Sequence, residues 1–264
     1  MAHEGRGFAA RGFGSECLPG AGVKLTASLT SSIEHAIPGD YQLRALQQGW
    51  RLQRAWHRAR LDLIEQVLPP AADGLILDAA SGSGIVTWKF RERRIVSADM
   101  RVSAGAATRR HTSGARAVAA LVDALPFSSG TFTQAYLLEA IEHLGEDEGL
   151  RALREIARVC RPGGTFLVTT PNYRSHWRLI ELALDRWGPT PPLGDAQHVT
   201  KYDPARLRQA VEAAGWSVAR LGSFNLVAPI AGVFSARAGG WLTGIESSRL
   251  RFSGPLLFAV CRRT

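Results

Sequence analysis

The sequence predicts an α/β fold built on a doubly wound, mostly parallel sheet of seven strands. Three observations predict it. Short apolar runs alternate with amphipathic stretches from about residue 50 onward, the first three runs each lead to an aspartate, and a glycine-rich turn follows the first run. The 264 residues are 45% hydrophobic and 21% charged, which suits a globular chain and excludes wholesale disorder. No apolar run reaches the roughly 18 residues of a membrane-spanning helix. The opening MAHEGRGFAARGFG lacks the apolar core of a secretory signal. Cys17, Cys160 and Cys261 are too scattered for a disulfide framework or a Cys-x-x-Cys site, so a reducing, cytoplasmic setting is expected.

The elements follow in order. Residues 1–45 are rich in Gly, Ala and Ser and read as a flexible or lid-like arm before a main domain over 46–264. Leu52, Trp56, Ala59, Leu63 and Val67 line one face of a helix, which Pro69 and Pro70 end. Leu75–Asp78, Arg94–Asp99, Val118–Val122 and Phe132–Leu138 read as strands. Leu150, Leu153, Ile156, Ala157 and Cys160 mark a helix face closed by the turn Arg161-Pro162-Gly163-Gly164, with a fifth strand over Thr165–Thr169. Asp203 caps a helix that starts at Pro204 and ends before Gly215, the N-terminal Pro and C-terminal Gly asymmetry. Trp216–Leu221 and Leu256–Cys261 complete the sheet. Two insertions break the rhythm. One lies near 173–201 and includes GPTPPLGD, and the other, near 222–253, has no charge from Leu221 to Ala236. Such segments shape a substrate pocket, cap the core or dip into a membrane interface.

The net charge is +9, carried by arginine, since only Lys24, Lys89 and Lys201 are lysines. Arg51, Arg54, Arg58 and Arg60 form the densest group, followed by Arg91, Arg93 and Arg94. No RNP-like aromatic motif or zinc-finger spacing accompanies them, so an arginine-biased surface is expected rather than a nucleic-acid groove.

The chemistry concentrates in Leu75-Ile-Leu-Asp78-Ala79-Ala80-Ser81-Gly82-Ser83-Gly84. A strand ends at an acid and turns through small residues into a helix, so a ligand can approach the backbone and meet unpaired N–H groups. A nicotinamide loop would read G-x-G-x-x-G, but Thr87 occupies the third glycine position. Asp99, 21 residues after Asp78, can accept two ribose hydroxyls, and Asp123 can receive an adenine N–H. Three strand-tip acids fall on the edge where open α/β sheets bind ligands.

These motifs resemble the class I S-adenosylmethionine-dependent methyltransferases over residues 50–221, the closing strand being matched less closely. D-A-A-S-G-S-G is similar to the family's glycine motif, with Ala80 in place of its first glycine. Asp99-Met100 resembles the ribose acid and its adenine-packing neighbour. Val122-Asp123-Ala124-Leu125-Pro126-Phe127 resembles the adenine motif with a spacer two residues short. Leu138-Glu139-Ala140-Ile141-Glu142-His143-Leu144 is similar to the run after the fourth strand, and Arg161–Thr165 with Thr170-Pro171-Asn172 to the fifth-strand hairpin. The resemblance implies a Rossmann-like methyltransferase fold and S-adenosylmethionine as cofactor. It places Asp78, Ala80, Gly82, Gly84, Asp99, Met100, Asp123, Ala124, Leu138 and Glu139 around the cofactor, with Arg60 on its methionyl carboxylate. It points to the small-molecule branch that includes ubiquinone-type O-methyltransferases.

A methyl sulfonium is already electrophilic, so the protein must align a nucleophile and, for a hydroxyl, remove its proton. His143, His198 and, more remotely, His176 are the candidate bases. Glu139 and Glu142 can orient a base or bind a metal with His143, but no complete ligand set is visible and no metal is expected. The expected acceptor is a small, partly apolar hydroxylated molecule, because the insertions supply Trp177, Trp187, Phe224, Phe234 and Trp241. A methyltransferase acting on RNA or protein and a non-catalytic cofactor-binding protein are the alternatives. No nucleic-acid partner is expected, and peripheral membrane contact stays open.

Overall fold

The computed structural model describes residues 39–187, 198–249 and 252–264. Most of the proposed arm (residues 1–38, with Cys17), the segment GPTPPLGD and the side chain of Trp187 lie outside the described residues. The elements are α1 (Tyr41–Gln48), α2 (Arg51–Val67), β1 (Ile76–Ala79), α3 (Ile85–Lys89), β2 (Ile95–Asp99), α4 (Val102–His111), β3 (Arg116–Ala119), β4 (Phe132–Leu138) and a 3₁₀ turn at Ile141–His143. They continue with α5 (Glu146–Val159), β5 (Cys160–Pro171), α6 (Trp177–Trp187), α7 (Pro204–Ala213), β6 (Trp216–Phe224), α8 (Ala228–Phe234), α9 (Ala236–Arg249) and β7 (Leu256–Arg263).

The seven strands run in the order β3-β2-β1-β4-β5-β7-β6. β1 to β5 are mutually parallel, and β7 runs antiparallel to both β5 and β6. The order reverses between β1 and β4, which places a crevice at their carboxyl ends. Alternate residues of each strand serve opposite faces. Leu77, Ala79, Ala135, Leu137, Phe166 and Val168 pack with Leu153 and Ile156 of α5 and Leu207 and Val211 of α7. Ile76, Ile95, Tyr136 and Leu167 pack with Leu43 of α1, Leu61 and Ile64 of α2 and Ile85 of α3.

Polar groups fix how α2 joins the sheet. Pro69 and Pro70 bring no N–H, so the chain after α2 relies on β4. The Tyr136 hydroxyl donates to the Leu68 carbonyl at 3.0 Å, and Gln134 Nε2 donates to the Pro69 carbonyl at 3.1 Å. The Ala71 N–H returns a bond to Gln134 Oε1 at 2.6 Å. Asp203 caps α7 by accepting from the Arg206 N–H at 2.9 Å, and Gly215 adopts φ 86° just beyond it.

Three sequence expectations change. The third strand is Arg116–Ala119 rather than Val118–Val122, because its register follows Val96–Asp99 of β2 and ends level with Asp99. Asp123 therefore lies in the turn beyond the strand, not at its tip. The turn Arg161–Gly164 lies inside β5, where pairing to β4 jumps from Cys160 to Thr165 and Gly163 adopts φ 72°. The insertion after β6 is a pair of helices, α8 and α9, and Phe224 before it is a core residue packed on Phe258.

Trp216 joins the α7–β6 corner to the core. It is buried, stacks on Phe166 with centroids 4.8 Å apart, and donates from its indole N–H to the Leu153 carbonyl at 3.1 Å. Trp216→Phe is expected to lose about 1 kcal/mol of unfolding free energy, and Trp216→Ala about 3–5 kcal/mol, in denaturant titration. A Trp216→Phe variant as stable as wild type would show that the indole hydrogen bond contributes nothing.

Candidate active site

The carboxyl ends of β1, β2 and β4 gather the polar side chains. β1 ends in the turn 80–84, in which Ala80, Gly82 and Gly84 take φ of 49°, 53° and 70°. The left-handed value at Ala80 costs an L residue roughly 1–2 kcal/mol, so the turn geometry is imposed by its surroundings. A side chain at Gly82 would run into Gln42 Oε1 at 2.8 Å, so α1 lies over the loop. The Leu43 N–H also donates to Ser83 Oγ at 3.0 Å. Gly84 has a different reason to be glycine, since a Cβ there would strike Thr108 of α4.

Asp99, at the end of β2, reaches across this loop. Its Oδ2 accepts from the Gly82 N–H at 2.7 Å, and its Oδ1 accepts from the Arg101 N–H at 2.9 Å and Arg101 Nε at 3.2 Å. Asp78 is also buried, and its Oδ2 has no hydrogen-bond partner among the described residues. Burial first, and the neighbouring Asp99 second, push its carboxyl up to about 8. An unmatched buried acceptor of this kind calls for a donor from a ligand.

The second half of the rim follows β4. Leu138 ends the strand, and Glu139 takes φ 51°. Glu139 Oε1 accepts from Thr169 Oγ1 at 2.6 Å, and Glu142 Oε2 accepts from Thr170 Oγ1 at 3.1 Å. Burial raises both acids to about 7, against the lowering pull of Arg60. Arg60 comes from α2 and is buried. It donates to His57 Nδ1, leaving its Nε without a partner among the described residues. Burial, then the Arg60 charge, hold His57 well below its ordinary range, so it stays neutral and can accept that bond.

His198 is carried into the rim by backbone bonds. The Thr200 N–H donates to the Glu142 carbonyl at 3.0 Å, and Thr200 Oγ1 to the Leu144 carbonyl at 2.6 Å. The His198 ring sits 5.2 Å from that of the exposed His143. Its Nδ1 lies 2.8 Å from Glu181 Oε1 and 2.8 Å from the Tyr173 hydroxyl, which itself donates to Glu181 at 2.8 Å. Facing a carboxylate, Nδ1 carries the proton, and Nε2 is left as the acceptor. Burial, then His143, lower the His198 pKa against the opposing pull of Glu181, which favours the neutral ring.

The rim thus brings together Asp78, Ala80, Gly82, Asp99, Leu138, Glu139, Arg60, His143 and His198. Met100 follows Asp99 at the surface. Asp123 does not join them on the structure's own contacts: its Oδ2 is 3.3 Å from Arg151 Nε of α5, and Ala124 follows it in the same turn. His176 is exposed. Among the described residues, one oxygen of Glu142 and one nitrogen each of His143 and His198 lie within 4.8 Å of one another, a spacing that can hold a divalent ion. Sequence reasoning paired Glu142 with His143 but not with His198. It also missed His57, Tyr173 and Glu181. His57 had a signal, one helical turn before Arg60 on the same face, whereas Glu181 had none.

Residues 50–221 match a family whose description is "methyltransferase domain". Among solved structures, the methyltransferase in complex with the Trm112 activator of Haloferax volcanii is 21% identical with a TM-score of 0.56, covering 84% of this chain and 97% of that one. A SAM-dependent methyltransferase of Thermotoga maritima is 14% identical at TM-score 0.57, covering 80% and 94%. Geranyl diphosphate C-methyltransferase of Streptomyces coelicolor is 14% identical at TM-score 0.54, covering 85% and 84%. At these identities the likeness is one of fold. No curated protein matches the chain.

A buried acid held above its unfolded value takes up a proton on folding. The stability of the unliganded protein therefore falls as pH rises between 3.8, the ordinary value for Asp78, and about 8. Asp78→Asn removes that titration, so its Tm, followed by scanning calorimetry, is expected to fall less steeply than wild type across the interval. Parallel slopes would show that Asp78 ionises without hindrance.

Proposed function

The chain belongs to the methyltransferase-domain family, and we propose from that premise that it moves the methyl group of S-adenosylmethionine to a hydroxyl oxygen of a small, partly apolar acceptor. The observation that carries this is a complementary pair of orphans on one rim: an unmatched acceptor on Asp78 and an unmatched donor on Arg60. An amino acid zwitterion supplies an ammonium for the first and a carboxylate for the second. Asp99, already orienting the Gly82 backbone, is placed for the ribose, and the left-handed turn at 80–84 lets the nucleoside approach the main chain.

When bound, the cofactor supplies an electrophilic methyl carbon with a neutral leaving group, so no covalent enzyme intermediate is required. The protein's task is alignment, which can lower the barrier by about 7–11 kcal/mol, and removal of the acceptor's proton. We assign that proton to His198 Nε2. Glu181 and Tyr173 hold the Nδ1 side of the ring, and burial keeps the ring neutral and ready to accept. His143, at the exposed lip, is the neighbour of the base rather than the base. Trp177, packed on Trp56 and 6.1 Å from the His198 ring, supplies an apolar wall for the acceptor.

The Glu142, His143 and His198 spacing favours a second reading, in which a divalent ion draws the acceptor oxygen toward the methyl carbon. Turnover that EDTA removes and Mg²⁺ or Mn²⁺ restores would select it over proton transfer to His198.

Calorimetric titration and product analysis with labelled cofactor in a metabolite extract test the proposal. Arg60→Ala is expected to weaken S-adenosylmethionine binding by about 10- to 100-fold, from the loss of a charged hydrogen bond. His198→Ala is expected to lower kcat by about 10²- to 10⁴-fold with cofactor affinity unchanged. Glu181→Gln is expected to shift the acidic limb of the pH–rate profile while keeping a measurable kcat. Wild-type cofactor affinity in Arg60→Ala would remove Arg60 from the site, and full turnover in His198→Ala would remove the base.

A further inference from the structure

The described surface carries apolar side chains that no element covers. On α8 and the residue before it, Val227, Ile230 and Phe234 share one helical face, and Phe234 is 83% exposed. On α9, Trp241 is 68% exposed and lies one turn beyond the exposed Arg237. On α6, Leu179 and Leu182 share an exposed face with Arg178 and Arg186 close by. These helices meet the same stretch of α2. Trp177 of α6 packs on Trp56, and Gly232 of α8 is so close to Ala55 that an added Cβ would sit 3.1 Å from its methyl group. Arg51 and Arg58 lie one turn either side of Ala55, and with Arg54 they form an exposed stripe on α2.

Charge says what such a face suits. Among the described residues, no ion pair engages Arg51, Arg54, Arg58, Arg178, Arg186 or Arg237. No charge of either sign falls between Leu221 and Ala236, and the chain as a whole carries +9. The one acid of α9, Glu246, is turned inward, where its oxygens accept from the Leu226, Val227 and Ala228 N–H groups and hold the start of α8 in place. The apolar face is therefore presented on a fixed support. Bulky apolar and tryptophan side chains rimmed by arginine match the boundary between headgroups and acyl chains.

We propose that the α8–α9 hairpin, with the N-terminal half of α2 and the outer face of α6, seats this protein on an anionic lipid bilayer. Phe234, Ile230 and Trp241 enter the interface, and Arg51, Arg54, Arg58 and Arg237 face the phosphates. The inner face of α6 carries Glu181 against His198, so the seated face adjoins the site through one helix. The inference stands on surface chemistry and does not depend on the reaction proposed above.

Sedimentation of the full-length protein with vesicles tests it. Vesicles of phosphatidylcholine with about one-third phosphatidylglycerol are expected to carry the protein down at low salt, phosphatidylcholine alone is not, and about 0.5 M salt weakens the binding. Phe234→Glu with Trp241→Glu is expected to lower the partition coefficient at least about tenfold. Each of Arg51→Gln, Arg54→Gln and Arg58→Gln is expected to lower it about fivefold. Unchanged Tm and cofactor affinity serve as controls that the variants are folded. The proposal fails if the wild type stays in the supernatant with anionic vesicles at low salt. It fails equally if the double glutamate variant binds like wild type. A dimer in sedimentation velocity that this variant dissolves would assign the face to a second copy and overturn the proposal.

Discussion

The site depends on a buried charge imbalance at the carboxyl rim of the sheet. Asp78, Asp99 and Glu142 are buried and Glu139 is half-buried beside them, and Arg60 is the buried cation whose charge acts on the two glutamates. A closed core would not keep such groups unless they were matched. Here Asp78 Oδ2 and Arg60 Nε stay unmatched, and burial raises Glu139 and Glu142 to about 7 against the lowering pull of the threonine hydroxyls and Arg60. The surrounding structure is arranged to hold that imbalance in place. α1 presses Gln42 and Leu43 onto the glycine turn, and the Gln134–Tyr136 pair ties the end of α2 to the sheet. His57 then fixes Arg60 within the helix.

Much of this was legible in the residues, because local chemistry alone dictates it. The run Leu75–Gly84 announces a strand and a glycine turn, although the left-handed bend at Ala80 is imposed by its surroundings. Asp203-Pro204 and Gly215 likewise mark a helix from end to end. Legibility fails where tertiary pairing decides. The third strand stops at Ala119 because β2 beside it stops at Asp99, so Asp123 was assigned a tip it does not occupy. Its carboxylate meets Arg151, 28 residues away, a partner that spacing cannot reveal.

The acid–base cluster shows the same limit more sharply. Glu142 and His143 adjoin in sequence, but His198 arrives only through the Thr200 bonds to Glu142 and Leu144. Glu181 becomes meaningful once α6 lays it against the His198 ring, and no motif announces it. The apolar insertion after β6 read as core, pocket or interface. The structure divides it, with Phe224 in the core and Phe234 and Trp241 on the surface.

The central claim is that an adenosyl amino acid bridges Asp78 and Arg60 across the ends of β1 and β4. The most direct measurement is a crystal structure of the protein grown with S-adenosylhomocysteine. The account predicts its ammonium within hydrogen-bond distance of Asp78 Oδ2, its carboxylate on the Arg60 guanidinium and its ribose against Asp99. Density for the compound elsewhere, with Asp78 Oδ2 and Arg60 Nε still lacking partners, would contradict it.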